Sequence, residues 1–406
     1  MLPRHPNPSR PLKVAHVSLV DLGIQFLWPQ LRALQADGFE VHALCGNGPL
    51  VPRFEAAGIT VHNIEVERKI SPLADLRLLR RLVALIRREQ YTVVHAHTAK
   101  LELIGQLAAR LAGVPIVVYT NHGFYFRSQQ LGPFRRWFLI QMARIAGKIS
   151  DHVLSQSAED MATALELGLY RSERLSYLGN GIDIAQFNPH TYTPAQIRVK
   201  KREIGIPEHH QVVGMVGRYV WEKGYREFFE AAKLVVDVHE DVSFLTVGMT
   251  LASERDPVDF SILKQLGIAE RVVALEARRD MPDLYAVMDV VVLPSYREGF
   301  PRTLMEAAAM GRPTVASDIP GCREAVINGY NGFLVPPQDS VTLAQAIEHV
   351  LVDPVLGTSL GHHGRALAEE RFDETKVVER IQTCYRTLLR QKLPAFAPDM
   401  FDKEAR

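Results

Sequence analysis

Cysteine is scarce: Cys45, Cys322 and Cys384 are the only three in 406 residues, and they form neither a C-x-x-C pair nor an even-numbered framework. That scatter excludes a disulfide scaffold, argues against a cysteine zinc site and suits a reducing compartment. No run reaches the roughly eighteen consecutive apolar residues that a membrane span needs. An excess of one charge is missing too. The 47 Lys and Arg residues stand against 46 Asp and Glu, a net charge of +1, which gives no whole-chain signal for nucleic acid. No G-x-G-x-x-G fingerprint follows the first expected strand, no G-x-x-x-x-G-K-[ST] phosphate loop is present, and no D-x-D offers a metal-nucleotide clamp. The opening MLPRHPNPSRPLK is rich in proline and basic residues and lacks the apolar core of a secretory signal, so residues 1–11 are expected to form a loose tail.

What is present is globular. With 47% hydrophobic and 23% charged residues, the chain is long enough for two domains with separate cores. Short apolar runs alternate with helical patterns, the signature of parallel sheets wrapped by helices. Strands are expected at Val14–Leu19, Glu40–Leu44, Thr60–Ile64, Thr92–His95, Ile116–Tyr119, His152–Leu154 and Arg174–Leu178. Past a turn-rich stretch they continue at Val212–Val216, Phe244–Gly248, Val272–Glu276 and Val290–Leu293. Helices are expected at Phe26–Gln35, Leu73–Arg88, Leu101–Leu111 and Phe134–Lys148.

One stretch gathers the chemistry. Leu293–Val326 reads as a strand end, a loop carrying Glu298, and a helix that opens near Pro301 and runs through Glu306 to Gly311. Proline suits a first helical position, and such a helix start offers free amides and a positive dipole end to phosphate. The two carboxylates would repel a phosphate and match hydroxyl groups better. Phosphates flanked on both sides by hydroxyls describe a nucleotide-sugar. A second loop, from Gly217 and Arg218 to Lys223 and Gly224, combines close backbone approach, a forked guanidinium and a point charge, all suited to phosphate. In the first half, the turn Val20–Ile24 with Gly23 should lie at a strand's carboxyl end, where ligands of doubly wound sheets gather.

His95 and His97 should project to one side of a strand end, and His122 precedes Gly123 in a loop after another strand. No neighbouring acid or cysteine completes a metal set, and hydrogen-bonded histidines at a strand terminus are the plainer reading. The segments GPFRRWFLIQMARIAGK and LRLLRRLVALIRRE interleave apolar and basic residues. Two readings stand: contact with an anionic membrane surface, or amphipathic helices with solvated cations.

Glu298 and Glu306 form E-x7-E, with PSYREGFP before and GRPTVASDIPG after, and the segment resembles the retaining GT-B glycosyltransferases of family four. GNGIDIAQFNP at Gly179–Pro189 resembles that family's interdomain linker, and His95–Phe126 is similar to its exopolysaccharide and capsule-type members. The likeness covers roughly residues 12–390. It implies an α/β, GT-B fold: two Rossmann-like, doubly wound parallel-sheet domains facing across a cleft. An acceptor-side domain would span 12–185, a nucleotide-sugar-binding domain 190–375, and a helix over 376–395 would cross back to the first domain. The resemblance implies donor contacts from Gly23, Arg218, Lys223, Arg278 in the base-facing loop Glu276–Asp280, Glu298, Gly299, Phe300, Pro301, Arg302 and Glu306. It makes His122 and Glu298 the catalytic pair, His122 on the donor sugar near the reacting carbon and Glu298 on the transferred sugar's hydroxyls, and puts Glu306 on the ribose hydroxyls.

It further implies a metal-independent enzyme without cofactor that carries a hexose-type sugar from a nucleotide-sugar to a lipid-linked or glycan acceptor. UDP is weighted over GDP or ADP, the setting is surface polysaccharide or glycolipid biosynthesis, and no nucleic acid takes part. The expected location is the cytoplasm, with the inner face of the cytoplasmic membrane as the place of any peripheral contact. The alternatives are a soluble transferase acting on a small sugar or metabolite, and a GT-B sugar-nucleotide epimerase or binding-only relative. The intact E-x7-E frame, Arg218 and Lys223 speak against the last two.

Overall fold

The computed structural model describes residues 11–66, 71–127, 131–250, 254 and 256–394. All but the last residue of the expected tail therefore lies outside the described residues. The chain divides into two compact units, Met1–Gly179 with Thr375–Arg406, and Asn180–Glu374.

The first unit carries β1 (Lys13–Val17), β2 (Glu40–Cys45), β3 (Thr60–Asn63), β4 (Val93–His97), β5 (Ile116–Asn121), β6 (His152–Ser155) and β7 (Leu175–Tyr177). They form one parallel sheet in the order β3-β2-β1-β4-β5-β6-β7. Parallel strands covered on both faces are buried along their whole length, and every residue of β4 and β5 is. The second unit carries β8 (Gln211–Val216), β9 (Val242–Gly248), β10 (Val272–Glu276), β11 (Val290–Leu293), β12 (Thr314–Ser317) and β13 (Gly332–Val335), again parallel, in the order β10-β9-β8-β11-β12-β13. The two sheets share one winding order. In each, the direction of winding reverses at the first strand, between β1 and β4 and between β8 and β11, which opens a crevice at the strand carboxyl ends.

Three details differ from the sequence reading. The expected turn Val20–Ile24 is a short helix, Asp21–Gln25, because Asp21 supplies an acidic first turn and its carboxylate accepts the amides of Leu22 at 2.8 Å and Leu50 at 3.0 Å. Strand β12 was not expected: four residues between Pro313 and Asp318 are too short an apolar run to stand out. The linker segment packs inside the second unit, where Ile182 donates to the Phe372 carbonyl and Phe187 is buried, so the division falls at Gly179.

The last helix, Glu374–Lys392, buries Ile381, Tyr385, Leu388 and Leu389 in the core of the first unit. Two other helices differ in what they bury. Pro72–Glu89 buries Leu78, Leu82 and Ile86, one residue per turn, the stripe of an ordinary sheet-covering helix. Pro133–Ile149 buries Ala143 and Ala146 and leaves Phe134, Trp137 and Phe138 exposed, at 75%, 56% and 41%. No helix among the described residues is long and apolar enough to cross a membrane.

Candidate active site

In the second unit the loops leaving β8 and β11 meet at the reversal of winding. After β8 a short turn, Trp221–Lys223, ends on Gly224, whose φ of 82° lies in the left-handed region that glycine tolerates best. A Cβ at Gly224 would stand 2.1 Å from the Pro294 carbonyl oxygen, so only glycine lets the two loops touch. They are stitched further by the Tyr296 amide, which donates to the Glu222 carbonyl at 3.0 Å. This contact delivers Lys223 Nζ to within 2.5 Å of Glu298 Oε1, with the side chains only 18% and 10% exposed. Ser295 Oγ donates to the same carboxylate oxygen at 2.7 Å. Gly321 abuts the other side of the loop: a Cβ there would lie 2.6 Å from the Glu298 carbonyl oxygen and 2.5 Å from that of Gly299.

The helix after this loop spans Arg302–Ala309. Pro301 is its N-cap rather than its first residue, with ψ of 118°, and no side chain caps the start. Proline has no N–H and no capping oxygen, so the first-turn amides are left available to an anion. Thr303 Oγ1 donates to the carbonyl of Val216 at 3.1 Å and fixes this helix start to the end of β8. Glu306 is held from two sides: Tyr285 Oη donates to Oε2 at 3.0 Å, and Arg302 Nε lies 3.5 Å from Oε1. Burial raises the Glu306 pKa, against the opposing pull of Arg302 and Tyr285.

The other expected residues are placed less centrally. The Arg218 guanidinium pairs with Glu254. Arg302 donates to the Gly181 carbonyl at 2.8 Å, which braces the linker. Phe300 is core: it is buried, packs edge-on against Phe372, and leaves only its backbone toward the loop, where its carbonyl accepts from Asn180 at 3.1 Å. Arg278 forks onto Asp280 at 2.7 and 2.6 Å and, with Lys200, holds that carboxylate well below its usual range. Tyr285 and Ser295 were not singled out in the sequence. Ser295 sits inside the quoted PSYREGFP, whereas Tyr285 lies 21 residues from Glu306 on another helix and has no local signature.

In the first unit Gly23 sits in the helix Asp21–Gln25, where a Cβ would meet Ser18 Oγ at 2.2 Å, so packing alone accounts for the glycine. His122 follows β5, and both its ring nitrogens are engaged. Nδ1 faces Gln156 Oε1 at 3.0 Å, and Nε2 faces His97 Nδ1 at 3.1 Å. Burial lowers its pKa, which keeps the ring neutral.

The arrangement in the second unit joins a cation, an uncapped helix start and two restrained carboxylates at the crevice where doubly wound sheets bind nucleotides. Comparison with known proteins agrees. A model of group 1 glycosyl transferases matches residues 210–353, and one of the glycosyl transferase 4-like domain matches residues 25–181. The capsular polysaccharide biosynthesis glycosyltransferase CapM of Staphylococcus aureus is 27% identical over 385 residues, covering 93% of this chain and 98% of its own. The UDP-Gal:alpha-D-GlcNAc-diphosphoundecaprenol alpha-1,3-galactosyltransferase of Escherichia coli is 29% identical over 383 residues, with 92% and 96% covered. The fold is shared with Anabaena HepE, solved in complex with UDP and glucose, at a TM-score of 0.77 and 24% identity over 92% of this chain and 99% of that one. The chain is a glycosyltransferase, and it belongs to the GT-B, group 1 enzymes of family four.

Proposed function

We propose that the enzyme transfers a hexose-type sugar from a UDP-sugar to a lipid-linked acceptor in surface polysaccharide or glycolipid assembly, with retention of configuration and without a metal. The observation that carries this reading is the Lys223–Glu298 pair set beside the uncapped start of the Arg302–Ala309 helix. An ammonium has three donors, so Lys223 can keep Glu298 and still meet a diphosphate. The helix amides add fixed dipoles, and Arg218 would exchange Glu254 for phosphate oxygens. Together these would neutralise the leaving nucleoside diphosphate, the task a metal performs elsewhere.

Glu306, gripped by Tyr285 and Arg302, is set to accept ribose hydroxyls. Glu298 is set to accept hydroxyls of the transferred sugar, and His122 is assigned to the reacting carbon. Attack from the same face with the departing phosphate as base gives retention and needs no carboxylate acid/base pair.

The acceptor class rests on the Escherichia coli relative, whose acceptor is a diphosphoundecaprenol, and on the exposed aromatic and basic face of the Pro133–Ile149 helix. Aromatic rings that insert beside cations suit an anionic lipid surface, which would place the enzyme on the cytoplasmic face of the membrane. Calorimetric titration of UDP-sugars tests the donor half: Lys223→Ala and Glu306→Ala should each weaken binding roughly tenfold or more with the fold intact. Wild-type affinity in both variants overturns it. Sedimentation with anionic liposomes tests the acceptor half, with Phe134→Ser/Trp137→Ser expected to stay in the supernatant. A wild-type chain that itself stays there favours a soluble acceptor.

A further inference from the structure

Behind His122 a line of imidazoles runs into the sheet. His122 Nε2 faces His97 Nδ1 at 3.1 Å, and His97 Nε2 faces His16 Nδ1 at 3.1 Å. His16 and His97 are buried, and the Nε2 of His16 has no partner. Register explains the line: His16 on β1 pairs with His95 on β4, and His97 stands two residues further along β4 on the same face.

His16, His95 and His97 bring ligand atoms within 4.8 Å of one another, but the bonding speaks against a metal. His95 has given Nδ1 to Tyr385 Oη at 2.9 Å and Nε2 to Thr120 Oγ1 at 2.7 Å. Both nitrogens of His97 are likewise taken.

With Gln156 Oε1 facing the ring, the bonding instead sets the protons of His122, His97 and His16. A neutral imidazole has one donor and one acceptor, and the carbonyl oxygen of Gln156 only accepts. His122 must therefore carry its hydrogen on Nδ1 and accept at Nε2 from His97 Nδ1–H. His97 in turn accepts at Nε2 from His16 Nδ1–H. The orphan at the buried end is then a lone pair. The reverse direction would bury an unpaired N–H, the costlier choice. A cationic His122 would set two N–H groups against each other unless the whole line reversed.

We propose that His97 and His16 are positioning residues for His122, holding its ring neutral, Nδ1-protonated and fixed in plane at the reacting carbon. This rests on the assignment of His122 in the proposed function. The transition state of glycosyl transfer is oxocarbenium-like, and a neutral ring leaves that developing positive charge unopposed where an imidazolium would repel it. Burial supports the neutral state throughout: it pushes His16 down to about 3 and lowers His95, His97 and His122. The groups facing His122 are His97 and His95 from β4 and Gln156 beyond β6, while His16 from β1 lies behind His97 and bonds to it. Asp160, bonded to the adjacent Asn121, is itself paired with Arg127.

The test uses the full chain with selectively 15N-labelled histidine and a kcat profile between pH 6 and 8. In the wild type, His122, His97 and His16 should each show a protonated Nδ1 and a bare Nε2 at pH 7, with kcat free of any acid limb. His97→Leu should lower kcat roughly tenfold or more while the donor KM stays within about twofold, and should add an acid limb near the ordinary imidazole value of about 6.5. His97→Asn, whose amide can donate where Nδ1–H did, should restore most of kcat and flatten the profile. An Nε2-protonated or cationic His122 in the wild type overturns the proposal, as does a His97→Leu enzyme with wild-type kcat and profile. The nuclear resonance arm needs no substrate. A chain that shows the predicted tautomers yet turns over no UDP-sugar thus fails the function reading and not the positioning one.

Discussion

At the reversal of winding in the first domain, between β1 and β4, stand uncharged imidazoles sealed from water; at the same place in the second, between β8 and β11, stands a lysine–glutamate pair. The topology is shared, so the chemistry at each crevice is set by what each strand end carries. His16, His95 and His97 lie within their strands, where burial on both faces favours neutral forms. Lys223 and Glu298 lie in loops beyond theirs, partly open to water and close enough to each other to be fixed as a pair.

Acid should break the comparison first. Burial lowers the pKa of His16, His95, His97 and His122, so these four groups bind fewer protons folded than unfolded. The stability they contribute is full above the unfolded value near 6.5 and is lost as pH falls below it. At the limit, four protons amount to roughly 5 kcal/mol per pH unit. Melts of the full chain at pH 7.5, 6.5 and 5.5 should show the first domain unfolding before the second as pH drops, and a first-domain Tm equal at 7.5 and 5.5 refutes this.

Glu102 sharpens the measurement because it works in the opposite sense. Burial raises its carboxyl to about 7, against Tyr170 and Tyr119, which favour the ion. Its stability is complete below the unfolded value and lost as pH rises through 7. Glu102→Gln should therefore stabilise the first domain by up to about 3 kcal/mol at pH 8 and by little at pH 4.5, which steepens the acid loss in the same protein.

The crevice of the second domain should break instead at a backbone contact. Gly224→Ala must accept a left-handed φ and drive a Cβ against the Pro294 carbonyl, which together should cost about 3 kcal/mol. Because the shift separates the loops that bring Lys223 to Glu298, donor affinity should fall with stability. A variant that loses stability but binds UDP-sugar normally would mean that the pair forms without this approach.

What the sequence disclosed follows the same division between local and distant. Glu298, Glu306 and Lys223 were legible because each sits in a short segment whose neighbours repeat the signal, as PSYREGFP and GRPTVASDIPG do. The alternation of strands and helices was legible because buried parallel strands are nearly all apolar. What holds those residues was not. Tyr285 lies 21 positions from Glu306, Glu254 lies 36 from Arg218, and His16 lies 81 from His97, so each pairing is made by the fold and by nothing nearby in the chain. Pro301 stands one position from its expected place for a related reason: proline's fixed φ serves an N-cap as well as a first helical residue, and only ψ tells them apart.

Arg278 tests how far a family likeness carries without geometry. The likeness makes it a donor contact through the matching loop Glu276–Asp280, yet its guanidinium is exposed and forked onto Asp280, two residues away. Such a surface pair is worth under about 1 kcal/mol. Asp280 keeps Lys200 at 3.0 Å when the arginine is removed, so the start of the Met281–Val287 helix should hold. Arg278→Ala should thus shift Tm by no more than a degree or two and leave UDP-sugar affinity within about twofold, by the size of that pair. A tenfold loss would show that Asp280 releases the guanidinium to the nucleotide, and would give the second domain a third cation alongside Lys223 and Arg218.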